Sequence, residues 1–124
     1  MGHTPTMSEQ PERDGSLRTA LANAMVAIMK RHYGKGPTGA KAWILDDYVF
    51  IVMEDGLTRN EETLVEDGKE ELVRSYRLAF QETIRMETMG AIAELTGRKV
   101  LTYHSQIVFH PARAFEVFVL DRKP

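Results

Sequence analysis

The sequence predicts an α+β domain in which a mostly antiparallel, four-stranded sheet has helices on one face. Stripes of helical period alternate with pairs of short apolar segments in the order α-β-β-α-α-β-β. In addition, residues 48–53 and 114–120 are apolar on both faces, with Glu116 as the only polar interruption in the later segment. A half-exposed strand alternates apolar and polar residues, so both faces of this sheet are expected to lose water.

The first helix is predicted to begin at Ser16, a residue type favoured at helix N-caps, and to end near Tyr33. Apolar residues follow Ser16 at helical spacing, and Gly34 then supplies a stop. Residues 1–15 are polar and are expected to form a disordered, mobile tail. The domain is therefore expected to span residues 16–121, with residues 122–124 as a C-terminal tail.

Two β-hairpins are predicted from the short turns that separate the apolar segments of each pair. The first turn is the Asp46-Asp47 pair, and the second contains His110-Pro111. Together the hairpins supply the four strands of the sheet. The predicted strands are residues 41–45, 48–53, 98–109 and 114–120.

A second helical region lies between the hairpins. Thr58 and Glu61 have the spacing of a capping box, in which the two residues satisfy each other's free backbone donors. Gly68 either breaks the helix that follows Thr58 or only weakens it. Both outcomes stay open, because an apolar stripe of helical period continues past Gly68 as far as Leu95. Gly97 is expected to end the region.

Length and composition restrict the class of protein. A chain of 124 residues fits one domain, and 16 basic against 18 acidic residues give no global attraction to nucleic acid. The chain has no cysteine, which fits a reducing compartment and excludes a disulfide scaffold. Residues 1–15 lack the apolar core of a signal peptide, and no apolar run reaches the length of a membrane span. We therefore expect a cytoplasmic protein with no nucleic acid partner and no direct membrane insertion.

The strands that are apolar on both faces predict an interface. The chain's own helices can cover one face, so the other is expected to meet a second copy of the chain or a larger protein. A homo-oligomer is therefore expected, with a dimer favoured. The residues assigned to this interface are Val49, Ile51, Met53, Phe115, Val117 and Val119.

The glycine-rich loop of residues 34–41 is a candidate ligand-binding site. It differs from a phosphate-binding P-loop, because Ala40 separates Gly39 from Lys41 and the loop connects a helix to a strand. Its backbone N–H groups can still form an anion-binding nest among basic side chains. Alternatively, the cations complement the helix end and the glycines supply unusual backbone angles. The residues assigned to an anion or small-ligand site are Lys30, Arg31, Lys35, Gly36, Thr38 and Lys41.

The spacing of reactive residues predicts neither a catalytic group nor a metal site. His104 and His110 have no third ligand nearby in the sequence. The Asp46-Asp47 pair lies in a predicted turn, where Asp is favoured for its local hydrogen bonds, and no serine lies in a nucleophile motif. We expect a protein that is not an enzyme and that uses no cofactor and no metal.

Five segments stand out in order along the chain: Tyr33-Gly34-Lys35-Gly36-Pro37-Thr38, Ala40-Lys41, Gly56-Leu57-Thr58 with Glu61 and Leu64, Leu95-Thr96-Gly97-Arg98-Lys99-Val100, and Glu116-Val117-Phe118-Val119-Leu120. Together these segments resemble the MpsC-type domain family. The resemblance implies an accessory or regulatory role beside a bacterial sodium-translocating, membrane-potential-generating system whose other components are membrane proteins. It also implies a position peripheral to the inner membrane through such a partner, and it supplies no catalytic residues.

Overall fold

The computed structural model of the protein describes residues 9–124, with side chains described from residue 14 onward. Helices and strands follow one another in an α+β arrangement, which confirms the predicted fold class. The elements are α1 Glu9–Tyr33, β1 Gly39–Leu45, β2 Tyr48–Glu54, α2 Arg59–Glu66, α3 Glu70–Thr83, α4 Arg85–Thr96, β3 Val100–Val108 and β4 Arg113–Leu120.

Helix α1 is longer than predicted. It begins at Glu9, so Ser16 lies inside the helix and the predicted N-cap is wrong. The prediction relied on the apolar stripe, which starts at Leu17 and gives no signal for helical turns that precede it. Residues 9–15 of the predicted tail therefore belong to α1, and residues 1–8 lie outside the described residues. The other end is as predicted, because Gly34 adopts a φ of +78° and donates its N–H to Lys30 O at 2.9 Å.

The helical region after Thr58 is divided into three helices. The predicted capping box is present, and the Thr58 N–H donates to Glu61 Oε1 at 2.8 Å. Gly68 has a φ of +75° and separates α2 from α3, so this glycine breaks the helix. A second interruption at Ile84 separates α3 from α4, and Gly97 ends α4 with a φ of +67°.

The four strands form one antiparallel sheet in the order β1-β2-β4-β3. Each hairpin contributes one edge strand and one central strand, and the central strands β2 and β4 pair with Val49 opposite Phe118. The turn residues Asp46 and His110 have positive φ of 55° and 61°, a region in which these residue types are enriched among non-glycine residues.

The helices pack on one face of the sheet, as predicted. Helix α1 lies against β1 and β2, whereas α3 and α4 lie against β3. Two clusters of buried side chains fill the space between the layers. The larger contains Leu21, Met25, Val49, Ile51, Ile92, Phe118 and Leu120, and the smaller contains Leu57, Val73 and Ile107.

Candidate interaction surface and buried polar groups

The face of the sheet opposite the helices is the candidate interaction surface, called here the open face. Side chains alternate along each strand, and residues directly opposite each other on paired strands share a face. Trp43 pairs with Phe50, and Phe50 pairs with Val117, so these three form one row across β1, β2 and β4. The apolar centre of the open face consists of Trp43, Phe50, Val52, Phe115, Val117 and Val119.

Large apolar side chains of the open face remain in contact with water. Trp43, Tyr48 and Phe115 are 45%, 42% and 38% exposed. With strands about 4.8 Å apart and same-face residues about 6.6 Å apart along a strand, the six apolar residues cover roughly 200 Å². The polar residues Thr102, His104 and Gln106 of β3 border this patch, and an exposed apolar patch with a polar rim is a candidate interaction site.

One end of the open face is charged. Arg113 Nη2 lies 3.7 Å from Glu54 Oε1, and Lys41 lies on the neighbouring strand β1. A groove of about 340 Å³ is lined by these charged residues together with Trp43 and Phe115. Both signs of charge therefore border the apolar surface.

The residues assigned to the interface from sequence fall on opposite faces of the sheet. Phe115, Val117 and Val119 lie on the open face, as their alternation with buried Phe118 and Leu120 requires. The other three residues lie on the helix-covered face and belong to the core, so their assignment to an interface is corrected. These are Val49, Ile51 and Met53, which are 0%, 0% and 2% exposed.

Two of the four cations assigned to the glycine-loop site, Lys35 and Arg31, are paired within the chain. Lys35 Nζ donates to Leu57 O at 3.0 Å and lies 3.3 Å from Glu62 Oε1. Arg31 forms an ion pair with Glu87 of α4. These contacts connect α1 and its following loop to α2 and α4, and they favour the structural interpretation of the basic residues.

The structure also separates the predicted ligand residues in space. Lys30 and Arg31 belong to α1, which covers the sheet, whereas Lys41 lies on the open face. The Thr38 N–H donates to Glu54 O at 3.0 Å, and Gly36 lies against Lys30, whose Cβ is 3.3 Å from the position of an added Cβ. Lys41 therefore lies on the opposite side of the sheet from Lys30 and Arg31, and the Thr38 N–H is already bonded within the chain.

A buried ion pair joins α2 to α3. Arg77 Nε donates to Glu61 Oε2 at 2.6 Å, and Arg77 Nη2 donates to Gly56 O at 2.9 Å. Glu61 and Arg77 are each 4% exposed, and the guanidinium lies 3.7 Å from the centre of the Tyr33 ring. Burial opposes ionisation of Glu61, but the hydrogen bonds from Arg77 and the Thr58 N–H, with the Arg77 charge, outweigh it and lower its pKa. Burial raises the pKa of Tyr33 to about 12.

A second buried acid lies in the central strand β4. Glu116 is 1% exposed, and burial raises its pKa from 4.5 to about 7, although the hydrogen bond from Tyr103 and the nearby Ser105 hydroxyl oppose the increase. Tyr103 donates its hydroxyl hydrogen to Glu116 Oε2 at 2.7 Å. Burial, followed by the nearby Glu116 charge, raises the pKa of Tyr103. Glu116 is thus a carboxyl group that titrates near neutral pH inside the core.

Neither Glu61 nor Glu116 was identified as a site from the sequence, although a charged residue within an apolar pattern indicated each one. Arg77 follows Val73 by four residues, so a charged residue occupies a core position of the apolar stripe. Glu116 interrupts an otherwise apolar strand. The partners could not be named because they lie on other elements, 16 residues away for Glu61 and Arg77 and 13 residues away for Glu116 and Tyr103.

These features define a small α+β domain with a one-sided layer of helices. The family model described as Na+-translocating membrane potential-generating system (MpsC) matches residues 13–122. The chain therefore belongs to the MpsC family, which confirms the predicted resemblance and associates the chain by name with such a system. No curated protein and no solved structure gives a significant match. Within residues 9–124, no helix combines the length and the apolar character that crossing a membrane requires.

Proposed function

We propose that the protein is a non-enzymatic accessory domain that forms a homodimer through the open face and acts with a sodium-translocating membrane complex. The observation that carries the self-association is the apolar open face, where Trp43 and Phe115 remain 45% and 38% exposed. The membrane context rests on the family description. We place the domain in the cytoplasm, where its partner would hold it peripheral to the inner membrane.

A second copy of the chain suits the open face for two reasons. The apolar centre carries no charge, so two copies stacked face to face do not repel each other there. At the charged end, Arg113 and Lys41 border the face together with Glu54. A two-fold axis brings the same patch of both copies together, and a patch with both charge signs can be complementary to itself.

Measurement of mass in solution tests the dimer. Wild-type protein is expected to have twice the 14.1 kDa chain mass in multi-angle light scattering, with dissociation on dilution. Val117→Asp places a charge at the centre of the open face and is expected to give a folded monomer. Met86→Asp is the matched control, because Met86 is an exposed apolar residue of α4 and lies on the helical layer.

The dimer proposal fails if wild-type protein is a monomer at about 100 µM, or if Val117→Asp remains a dimer. Circular dichroism of both variants verifies that the fold is retained. The membrane part of the proposal is separate. Wild-type protein is expected to co-purify with sodium-transporting components from native membranes, and recovery of no such component would contradict this part alone.

A further inference from the structure

A cluster of side-chain oxygen atoms is enclosed between α3 and the covered face of the sheet. Tyr103 Oη lies 2.7 Å from Glu116 Oε2 and 3.2 Å from Gln81 Oε1. Ser105 donates its hydroxyl hydrogen to the same Gln81 oxygen, and Ser105 is the direct cross-strand partner of Glu116. One carboxylate, two hydroxyls and one amide therefore meet in the core; we call this group the Glu116 cluster.

One oxygen of the cluster is unsatisfied. Glu116 Oε1 is buried without a hydrogen-bond partner among the described residues, and no basic side chain among them shifts the pKa of Glu116. A buried carboxylate with an unpaired oxygen carries a large desolvation penalty. Above its pKa of about 7 the carboxylate is charged, and no hydroxyl hydrogen is left for Oε1, because Tyr103 donates to Oε2 and Ser105 donates to Gln81. Above the pKa of Glu116, the cluster therefore lacks a positively charged component.

The donor atoms indicate the chemistry of that component. All four side chains offer oxygen, the ligand atom that hard cations prefer. The cluster contains one carboxylate, so one positive charge neutralises it, whereas a divalent cation would leave a net charge buried in the core. A cation on the free Oε1 also leaves the hydrogen bond between Tyr103 and Oε2 intact.

A cleft between α3 and β3 leads to three of the four members of the cluster, and Glu116 lies behind them. The cleft has a volume of about 280 Å³, and Gln81, Tyr103 and Ser105 form part of its lining. Arg85 lies at the same cleft, where its Nη1 donates to Tyr103 O at 2.9 Å and lies 3.8 Å from Glu82 Oε2. At the mouth of the cleft, the negative carboxylate of Glu82 therefore lies close to the positive guanidinium of Arg85.

We propose that the Glu116 cluster binds one monovalent metal cation, held by Glu116 Oε1 with Gln81, Tyr103 and Ser105 as neutral oxygen ligands. The cluster lies on the covered face of the sheet, so this site is distinct from the open face. Cation binding and dimer formation can therefore fail independently.

Thermal unfolding in sodium tests the proposal. Wild-type protein is placed in increasing NaCl at about pH 8, above the pKa of Glu116, with choline chloride keeping the ionic strength constant. The unfolding temperature is expected to rise by about 5 °C and to saturate, because a ligand of the folded state stabilises by mass action. Glu116→Gln is expected to abolish the response to sodium, whereas Glu94→Gln, an exposed acid on α4, retains it.

Two further measurements keep the proposal testable if Glu116→Gln does not fold. Ser105→Ala removes one neutral ligand and is expected to raise the half-saturating sodium concentration several-fold. In ²³Na NMR, wild-type protein is expected to broaden the sodium line, and Ser105→Ala to broaden it less at equal concentration. An identical response to NaCl and choline chloride, an unchanged sodium response in Ser105→Ala, or saturation by calcium in preference to sodium would overturn the proposal.

Discussion

The hydroxyl of Tyr103 donates a hydrogen bond of 2.7 Å to Glu116 Oε2, and this bond joins edge strand β3 to central strand β4 beneath the helices. The Tyr103 ring also stacks on Phe118, with ring centres 4.6 Å apart. An apolar contact and a polar contact from one side chain thus hold the same pair of strands. Because Glu116 is 1% exposed, its protonation state bears directly on the stability of the fold.

The free energy of unfolding is expected to decrease as the pH rises from about 5 to about 8. Glu116 binds its proton more tightly in the folded state, where burial raises its pKa from 4.5 to about 7. Its stabilising contribution is therefore fully present below pH 4.5 and is lost as the pH rises through about 7. The decrease attributable to this group is about 3 kcal/mol.

Urea unfolding at a series of pH values, in choline-based buffer without sodium, measures this decrease. Glu116→Gln has no titrating group at this position, so its stability is expected to be nearly flat between about pH 5 and pH 8. A wild-type curve that is flat or rises across this range would contradict the prediction.

Arg77→Met is expected to reduce the free energy of unfolding by about 3–5 kcal/mol, because it leaves the Glu61 carboxylate buried without its partner. The double variant with Glu61→Gln is expected to recover part of this loss. Arg74→Met serves as the control, since Arg74 pairs with Glu71, whose side chain is 82% exposed, and its removal should cost less than about 1 kcal/mol. Equal losses for Arg77→Met and Arg74→Met in urea unfolding would exclude a stabilising role for the buried pair.

Phe118→Ala and Phe115→Ala are expected to have different effects, although the residues lie on the same strand. Phe118 is fully buried between the sheet and the helices, and its truncation should cost about 3–5 kcal/mol of stability. Phe115 is 38% exposed on the open face, so its truncation should cost less than about 1 kcal/mol per chain but weaken the dimer. Urea unfolding and light scattering of both variants measure the two effects. A larger stability loss in Phe115→Ala would mean that the two faces have been assigned the wrong way round.

Two glycines of the α4 region are expected to respond to alanine with opposite signs. Gly97 has a φ of +67°, a conformation that alanine adopts with strain, so Gly97→Ala should destabilise the protein by about 1 kcal/mol. Gly90 lies inside α4 with nothing within 4 Å of an added Cβ, so Gly90→Ala should stabilise by about 0.5–1 kcal/mol. Thermal unfolding of both variants provides the test, and shifts in the same direction would contradict it.

Most element boundaries near glycines and turns could be predicted from the sequence. Gly34 and Gly97 end helices because each adopts a positive φ that few other residues tolerate, and the Thr58–Glu61 capping box begins α2 through contacts between near neighbours. The start of α1 could not be predicted in this way. Its first turns lie ahead of the apolar stripe, so they leave no periodic signal.

The candidate surface could be predicted only in part. Alternation along β4 correctly places Phe115, Val117 and Val119 on one face, opposite Phe118 and Leu120. The assignment of Val49, Ile51 and Met53 failed because β2 is apolar on both faces, so its own pattern does not show which side the helices cover. The pairing register of β2 with β4 decides this, since Val49 lies opposite Phe118.

The sequence by itself determined the α+β class, the two hairpins, the glycine helix stops and the membership of the MpsC family, because these depend on local periodicity, local backbone preference and ordered motifs. Only the tertiary structure decided which sheet face is open and which polar groups meet inside. Those properties depend on contacts between elements far apart in the chain, such as Tyr103 with Glu116 and Glu61 with Arg77. The energy of a buried charge is set by its surroundings after folding, and no local pattern contains that information.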